Sequence, residues 1–152
     1  MPSRREQIIM TTDEITAFLH EERVLNVATI GPSGHPHVVA MWYALVEGDI
    51  VFWTFAKSQK IANLRRDAKI TGLVEAGDSY EELRGVEIVG TAKLIEDYET
   101  ALEIGRTVAK RYNGDVATSP QAVEFLAQQA RKRIGIRIEP ERFVSWDHRK
   151  LG

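Results

Sequence analysis

The stretch His37-Val38-Val39-Ala40-Met41-Trp42-Tyr43-Ala44-Leu45-Val46-Glu47-Gly48-Asp49-Ile50-Val51-Phe52-Trp53-Thr54-Phe55 decides the fold. From His37 to Val46, valine, aromatic and aliphatic residues follow one another almost without polar interruption. That pattern predicts a strand buried on both sides, by a barrel interior on one and by a partner on the other. Glu47-Gly48-Asp49 reads as a hairpin turn, and Ile50 to Phe55 as the returning strand. Alternation sends Trp42 and Tyr43 to opposite faces, and Phe52 and Trp53 likewise. Half of these aromatics fill the core. At least one member of each pair faces outward, where a subunit interface or a planar ligand is expected to cover it.

Upstream, Thr11 and Glu14 are spaced as a capping box for a helix running to about Arg23 and burying Ile15, Phe18 and Leu19. Val24 to Ile30 reads as a strand closed by Gly31-Pro32-Ser33-Gly34. Downstream, Lys57 to Asp67 reads as a helix with Ile61 and Leu64 facing the core, followed by strands over Lys69 to Glu75 and Val86 to Ile95. Asp97 caps a helix ended by Asn113-Gly114, and Ser119-Pro120 opens another reaching about Arg131. Arg133 to Ile138 and Arg142 to Trp146 close the chain as strands separated at Pro140. Hairpin-linked groups of strands, not a regular alternation with helices, predict a mainly β (α+β) antiparallel barrel with peripheral helices.

The chain has 152 residues, 43% hydrophobic and 28% charged, with no repeat or linker, so a single domain over 1–152 is expected. A formal net charge of −2 supplies no overall field for nucleic acid or a membrane surface. The absence of cysteine excludes disulfides, thiolate metal sites and cysteine nucleophiles. Met1 to Met10 holds Arg4 and Arg5 and no long apolar run, so neither a signal peptide nor a membrane span is expected, and a cytoplasmic location is.

The chemistry concentrates in Trp53-Thr54-Phe55-Ala56-Lys57-Ser58-Gln59-Lys60-Ile61-Ala62-Asn63-Leu64-Arg65-Arg66-Asp67. A strand ends, two lysines three apart bracket a serine, and a helix begins. Ser58 is placed to cap that helix. The free N–H groups of the first turn, the positive end of the helix dipole and two ammonium groups together suit a phosphate. A solvated surface helix with incidental lysines is the alternative reading of the same residues.

That segment resembles the phosphate-binding strand and helix of the pyridoxamine-phosphate-oxidase-like family, and most closely its flavin/deazaflavin oxidoreductase branch. Asn26-Val27-Ala28-Thr29-Ile30 with Gly34-His35-Pro36-His37, and Arg84-Gly85-Val86 with Gly90-Thr91-Ala92, fit in the same order. The resemblance covers most of Val24 to Ile95. It implies a six-stranded split barrel, a homodimer with two cofactor sites at the interface, and a deazaflavin, coenzyme F420, or else FMN as cofactor. It further implies that Lys57, Ser58, Gln59 and Lys60 hold the cofactor phosphate, with Thr54 near the ribityl chain and Asn63 adding a polar contact. Met41 and Trp53 would lie by the ring system, and Gly77, Asp78, Tyr80 and Arg84 of a loop would reach the cofactor of the other subunit. The segment Phe143-Val144-Ser145-Trp146-Asp147-His148-Arg149 lacks a match to the substrate-binding end of the vitamin B6 oxidases, which speaks against that activity.

Other residues carry less. His20, His35, His37 and His148 have no third ligand or carboxylate grouping, and no metal site is expected. Glu21-Glu22 and Glu81-Glu82 are adjacent pairs that do not converge on one face. Neither Ser33 nor Ser58 lies in a nucleophile elbow. The absence of an obvious acid, base or nucleophile suits an enzyme whose cofactor carries the redox chemistry. The expected function is therefore an F420-dependent oxidoreductase passing hydride to an unsaturated small molecule. An FMN-dependent oxidoreductase, or a non-catalytic split barrel binding flavin or haem, with His37 the only strand histidine, are the alternatives.

Overall fold

The computed structural model describes residues 1–152. In chain order the elements are α1 (Arg4–Gln7), α2 (Thr12–Glu21), β1 (Leu25–Ile30), β2 (Pro36–Met41), β3 (Ala44–Val46), β4 (Asp49–Phe55), α3 (Gln59–Arg66), β5 (Lys69–Ala76), β6 (Arg84–Ile95), α4 (Tyr98–Asn113), α5 (Pro120–Ala130) and β7 (Arg133–Asp147). All strand pairs are antiparallel, in the order β2-β1-β5-β6-β7-β4-β3.

That order dictates curvature. β2 and β3 stand at opposite edges of the sheet, yet only Trp42 and Tyr43 separate them in sequence. Laid flat, seven strands would hold those edges roughly 29 Å apart. The three peptide steps from Met41 to Ala44 reach at most roughly 11 Å. The sheet must therefore curl until its edges meet, and the unpaired seam between β2 and β3 is the split of the barrel.

The apolar run His37–Val46 is thus two strands, not one, and the sheet has seven strands where six were expected. No glycine or proline makes the break. The Tyr43 N–H instead donates to the Tyr112 hydroxyl at 3.0 Å, and Arg111 donates to the Tyr43 carbonyl at 2.9 Å. Long-range partners thereby satisfy backbone groups that a continuous ladder would have used. The expected break at Pro140 is absent: β7 is continuous, and the proline sits opposite Gly90 where the β6–β7 register shifts. A bulge tolerates proline because its missing N–H would bond nothing there.

The barrel interior is filled by Leu25, Val27, Tyr43, Phe52, Ile70, Val74, Val86, Ile88, Ile136 and Ile138, with Ile61 and Leu64 of α3 packed among them. A second apolar layer lies outside the barrel. Val51 and Trp53 of β4 meet Leu102, Ile104 and Val108 of α4 and Leu126 and Ala130 of α5. Alternation along β4 thus sends Phe52 inward and Trp53 outward, as the sequence requires. The cover over Trp53 is the chain's own α4. On β2 the outer face stays open: Val38 and, just beyond the strand, Trp42 are exposed.

Candidate functional site

Three segments converge at one end of β4. The chain leaves β4 in a turn closed by the Ser58 N–H on the Phe55 carbonyl at 3.0 Å, and α3 starts at Gln59. The Ala56 N–H donates to the Lys132 carbonyl at 2.8 Å, and Phe55 lies opposite Arg133 in the β4–β7 ladder. The start of α3 is therefore fixed beside the start of β7.

Ser58 has the backbone of an N-cap, φ −72° and ψ 158°, but its side chain does not cap the helix. Its Oγ is buried and has no hydrogen-bond partner. The N–H groups of Gln59, Lys60 and Ile61 also have no carbonyl to bond, the first backbone bond into the helix being Ala62 to Ser58. Buried polar groups without partners are rare in native chains, and a helix start with this many asks for an acceptor.

Two cations stand near each other beside this helix start. Lys60 is 9% exposed and enters none of the ion pairs of the chain. Burial pushes its ammonium below the ordinary lysine range, and the Arg133 charge pushes it further. The Arg133 guanidinium lies 4.2 Å from the Phe55 ring centroid and 5.2 Å from that of Trp53. Its one hydrogen bond is to Gln129 of α5 at 3.4 Å, and burial lowers its pKa too. A buried and a half-buried cation without a carboxylate between them are costly unless an anion completes the group. The unpartnered Ser58 hydroxyl, the free N–H groups and the two cations all fit a phosphate.

The structure gathers Lys57, Ser58, Gln59 and Lys60 at this helix start, with Trp53 and Thr54 on the adjoining strand. Lys57 is exposed and Thr54 buried. Asn63 is fully buried: its amide donates to Thr29 Oγ1 at 3.0 Å and accepts from Gln59 Nε2 at 2.8 Å, tying α3 to β1. Met41 ends β2 and packs against the barrel core. Gly77 and Asp78 belong to the β5–β6 connection, where Gly77 has φ 106°. Tyr80 in that loop is exposed and meets His148 edge-on at 4.6 Å. Arg84 pairs with Glu21 at 3.5 Å and covers the Phe18 ring. The residue that sequence reasoning missed is Arg133. Its only local signal is the basic run Arg131-Lys132-Arg133 at the mouth of a strand. No group of histidine and acidic residues suited to a metal is present, and no helix is long and apolar enough to cross a membrane.

An antiparallel split barrel with an anion-ready strand–helix junction defines a class of cofactor-binding proteins, and comparison with known proteins places the chain within it. Residues 11–147 match the pyridoxamine 5'-phosphate oxidase family, and the chain belongs to that family. The crystal structure of the conserved hypothetical protein Rv2991 from Mycobacterium tuberculosis is 44% identical, with a TM-score of 0.91 over 99% of this chain and 93% of that one. An F420 reductase is 24% identical, with a TM-score of 0.65 over 94% of this chain and 98% of that one. A FAD-binding protein from Mesorhizobium loti is 18% identical, with a TM-score of 0.65 over 90% of this chain and 94% of that one. At those two identities the likeness is one of fold. No curated protein matches the chain.

Proposed function

We propose that this chain is an F420-dependent oxidoreductase that passes hydride between the deazaflavin and an unsaturated small molecule. The observation that carries the reading is the unneutralised group at the start of α3: the Ser58 hydroxyl, the free N–H groups, Lys60 and Arg133. Ser58 and Lys60 would bond the cofactor phosphate, with Arg133 as a second cation held over the Phe55 ring. Gln59 and Asn63 brace the helix that presents them. The cofactor supplies the hydride chemistry when bound, and the protein supplies position and exclusion of water.

The deazaflavin is favoured over FMN by the likeness of Asn63-Leu64-Arg65-Arg66-Asp67 and the adjoining strands to the deazaflavin branch, and by the F420 reductase among the chains of the same fold. FMN needs the same phosphate site and is the second reading. The exposed Val38 and Trp42 of the β2 face support a homodimer in which two cofactors lie at the interface.

Titration of the purified protein with F420 and with FMN, followed by fluorescence, tests the assignment. Binding of F420 at least as tight as that of FMN is expected, together with oxidation of the reduced deazaflavin in the presence of a quinone, biliverdin or cyclic enone panel. Flavin retained through purification, or FMN bound far more tightly, transfers the function to FMN. Binding without turnover of any acceptor, or a haem spectrum in place of a flavin one, makes the protein a carrier.

A further inference from the structure

The connection from β5 to β6 has little of its own to hold it. Gly77 through Glu82 are all exposed, and the helical turn at Tyr80–Glu82 buries no residue. Within it, the Glu82 N–H donates to the Ser79 carbonyl at 3.0 Å, and the Leu83 N–H reaches the Tyr80 carbonyl only at 3.4 Å. Asp78, Glu81 and Glu82 enter no ion pair. A segment with so little burial opens readily when nothing else ties it down. One residue from the far end of the chain does so. The His148 N–H donates to the Leu83 carbonyl at 2.9 Å, and His148 Nδ1 lies 2.7 Å from the Tyr80 carbonyl oxygen. A carbonyl oxygen only accepts, which assigns the proton of this contact to Nδ1. His148 is itself anchored through Asp147, which ends β7 opposite Arg84 and is 4% exposed. The Asp147 N–H donates to the Ile8 carbonyl at 2.8 Å, and its carboxylate accepts from the Arg149 backbone and guanidinium at 2.9 to 3.0 Å.

We infer that His148 is a positioning residue: by gripping both ends of this turn it sets the β5–β6 loop, and with it the exposed Tyr80, for contact with a ligand held by a second copy of the chain. The inference rests on the cofactor and dimer reading above and deepens it by naming what orders the loop. A free loop would give up its conformational freedom at each binding event, and affinity would fall by that amount. A loop already fixed by His148 loses little more. His148 acts here through Tyr80 and Leu83 and needs no contact with the ligand itself.

Two variants of the full chain test this. His148→Ala removes the side-chain donor, whereas His148→Asn keeps a donor N–H at a similar reach from the backbone. Amide hydrogen exchange is read at Glu82 and Leu83, whose N–H groups the turn protects. Their exchange should quicken roughly three- to tenfold in the alanine variant and return close to the parent's in the asparagine variant. Amides of the strand ladders should keep the parent's rates, which shows that the fold survives. F420 and FMN are titrated beside it. Affinity for whichever of them the parent binds should fall roughly three- to tenfold with alanine and recover with asparagine. Unchanged exchange in the alanine variant overturns the inference. So does faster exchange with undiminished affinity, because the loop then has no part in binding. Equal losses of affinity in both variants overturn it too, since the imidazole would then act by some means other than its donor. A parent that binds neither F420 nor FMN fails the cofactor reading itself, and the positioning role falls with it whatever the exchange shows.

Discussion

A Cβ atom on Gly105 would stand 2.4 Å from Cη2 of Trp53, so the middle of α4 rests bare against the indole. An alanine in a helix interior ordinarily stabilises by up to about 1 kcal/mol relative to glycine. Here the sign reverses, because the buried ring must move or α4 must lift from β4. Gly105→Ala should destabilise the chain by about 1–3 kcal/mol, read from urea unfolding midpoints. Trp53 also flanks Arg133 at 5.2 Å, so phosphate affinity should fall with it. An alanine variant as stable as the parent would mean that the helix–strand contact is looser than the geometry states.

The anion site gives a sharper test. Lys60→Ala should weaken cofactor binding roughly ten- to a hundredfold, a charge-assisted bond being worth roughly 1.5–3 kcal/mol. Stability of the unliganded chain should not fall, since the variant removes a desolvated charge that lies beside Arg133 and opposes the helix dipole. Lys69→Ala, on β5, is the control. Equal losses at both positions would point to a general field, and no loss at Lys60 would place the phosphate elsewhere.

The same lysine predicts a pH dependence. Burial holds the Lys60 pKa in the folded chain below the ordinary lysine value of 10.5. Between the lowered value and the ordinary one, the folded chain binds fewer protons than the unfolded chain. The stability of the unliganded protein therefore gains from this group as pH rises across that window. Anion binding favours the charged ammonium, so affinity moves the opposite way. It should fall as pH rises through the lowered pKa, before the ordinary lysine range. Lys60→Arg should keep binding and flatten that fall; a parent profile flat to the ordinary lysine range would contradict the burial of a charged Lys60.

The open face of β2 motivates a prediction about assembly. Sedimentation should give about twice the 17.2 kDa chain mass. Val38 is 59% exposed, so Val38→Asp leaves the barrel core untouched and should yield a folded monomer. A parent monomer at micromolar concentration would remove the dimer, and with it the role assigned to Tyr80 and Arg84 across the interface.

The parts of this architecture that were legible in the sequence are those decided by local chemistry. Thr11 and Glu14 form their reciprocal capping box, the Asp97 carboxylate and Ser119 hydroxyl cap α4 and α5, and Gly114 with φ 63° ends α4. The hairpin at Glu47-Gly48, with φ 52° and 84°, is likewise local. What escaped is decided at long range. The β2–β3 break depends on Arg111 and Tyr112, more than sixty positions away. Arg133 matters only because the ladder sets it opposite Phe55, and Ser58 looks like an ordinary cap until its hydroxyl proves unused. The four-residue pattern Lys57–Lys60 marks the candidate site in the sequence, but the second cation beside it, Arg133, comes from the other end of the chain.

Tyr43 yields the last prediction. Its ring is fully buried at the seam, its hydroxyl lies 2.6 Å from the Leu19 carbonyl and 3.0 Å from that of Glu22, and Arg111 covers its face at 4.4 Å. Burial is the main cause that pushes its pKa from 10.0 up to about 12, with the Arg111 charge opposing. The unfolded chain thus loses this proton first. Stability is fully present below the unfolded value and is lost as pH rises toward the folded one, about 3 kcal/mol in all at 1.36 kcal/mol per pK unit. Tyr43→Phe keeps the ring and removes the titration. Arg111 still donates to the Leu19 and Glu22 carbonyls, so the variant should lose only about 1 kcal/mol near neutrality. Urea midpoints followed from neutrality to just below the folded pKa should therefore converge, the parent falling more steeply than the variant. Parallel profiles would mean that the Tyr43 proton is not held by the fold, and that the seam between β2 and β3 admits water.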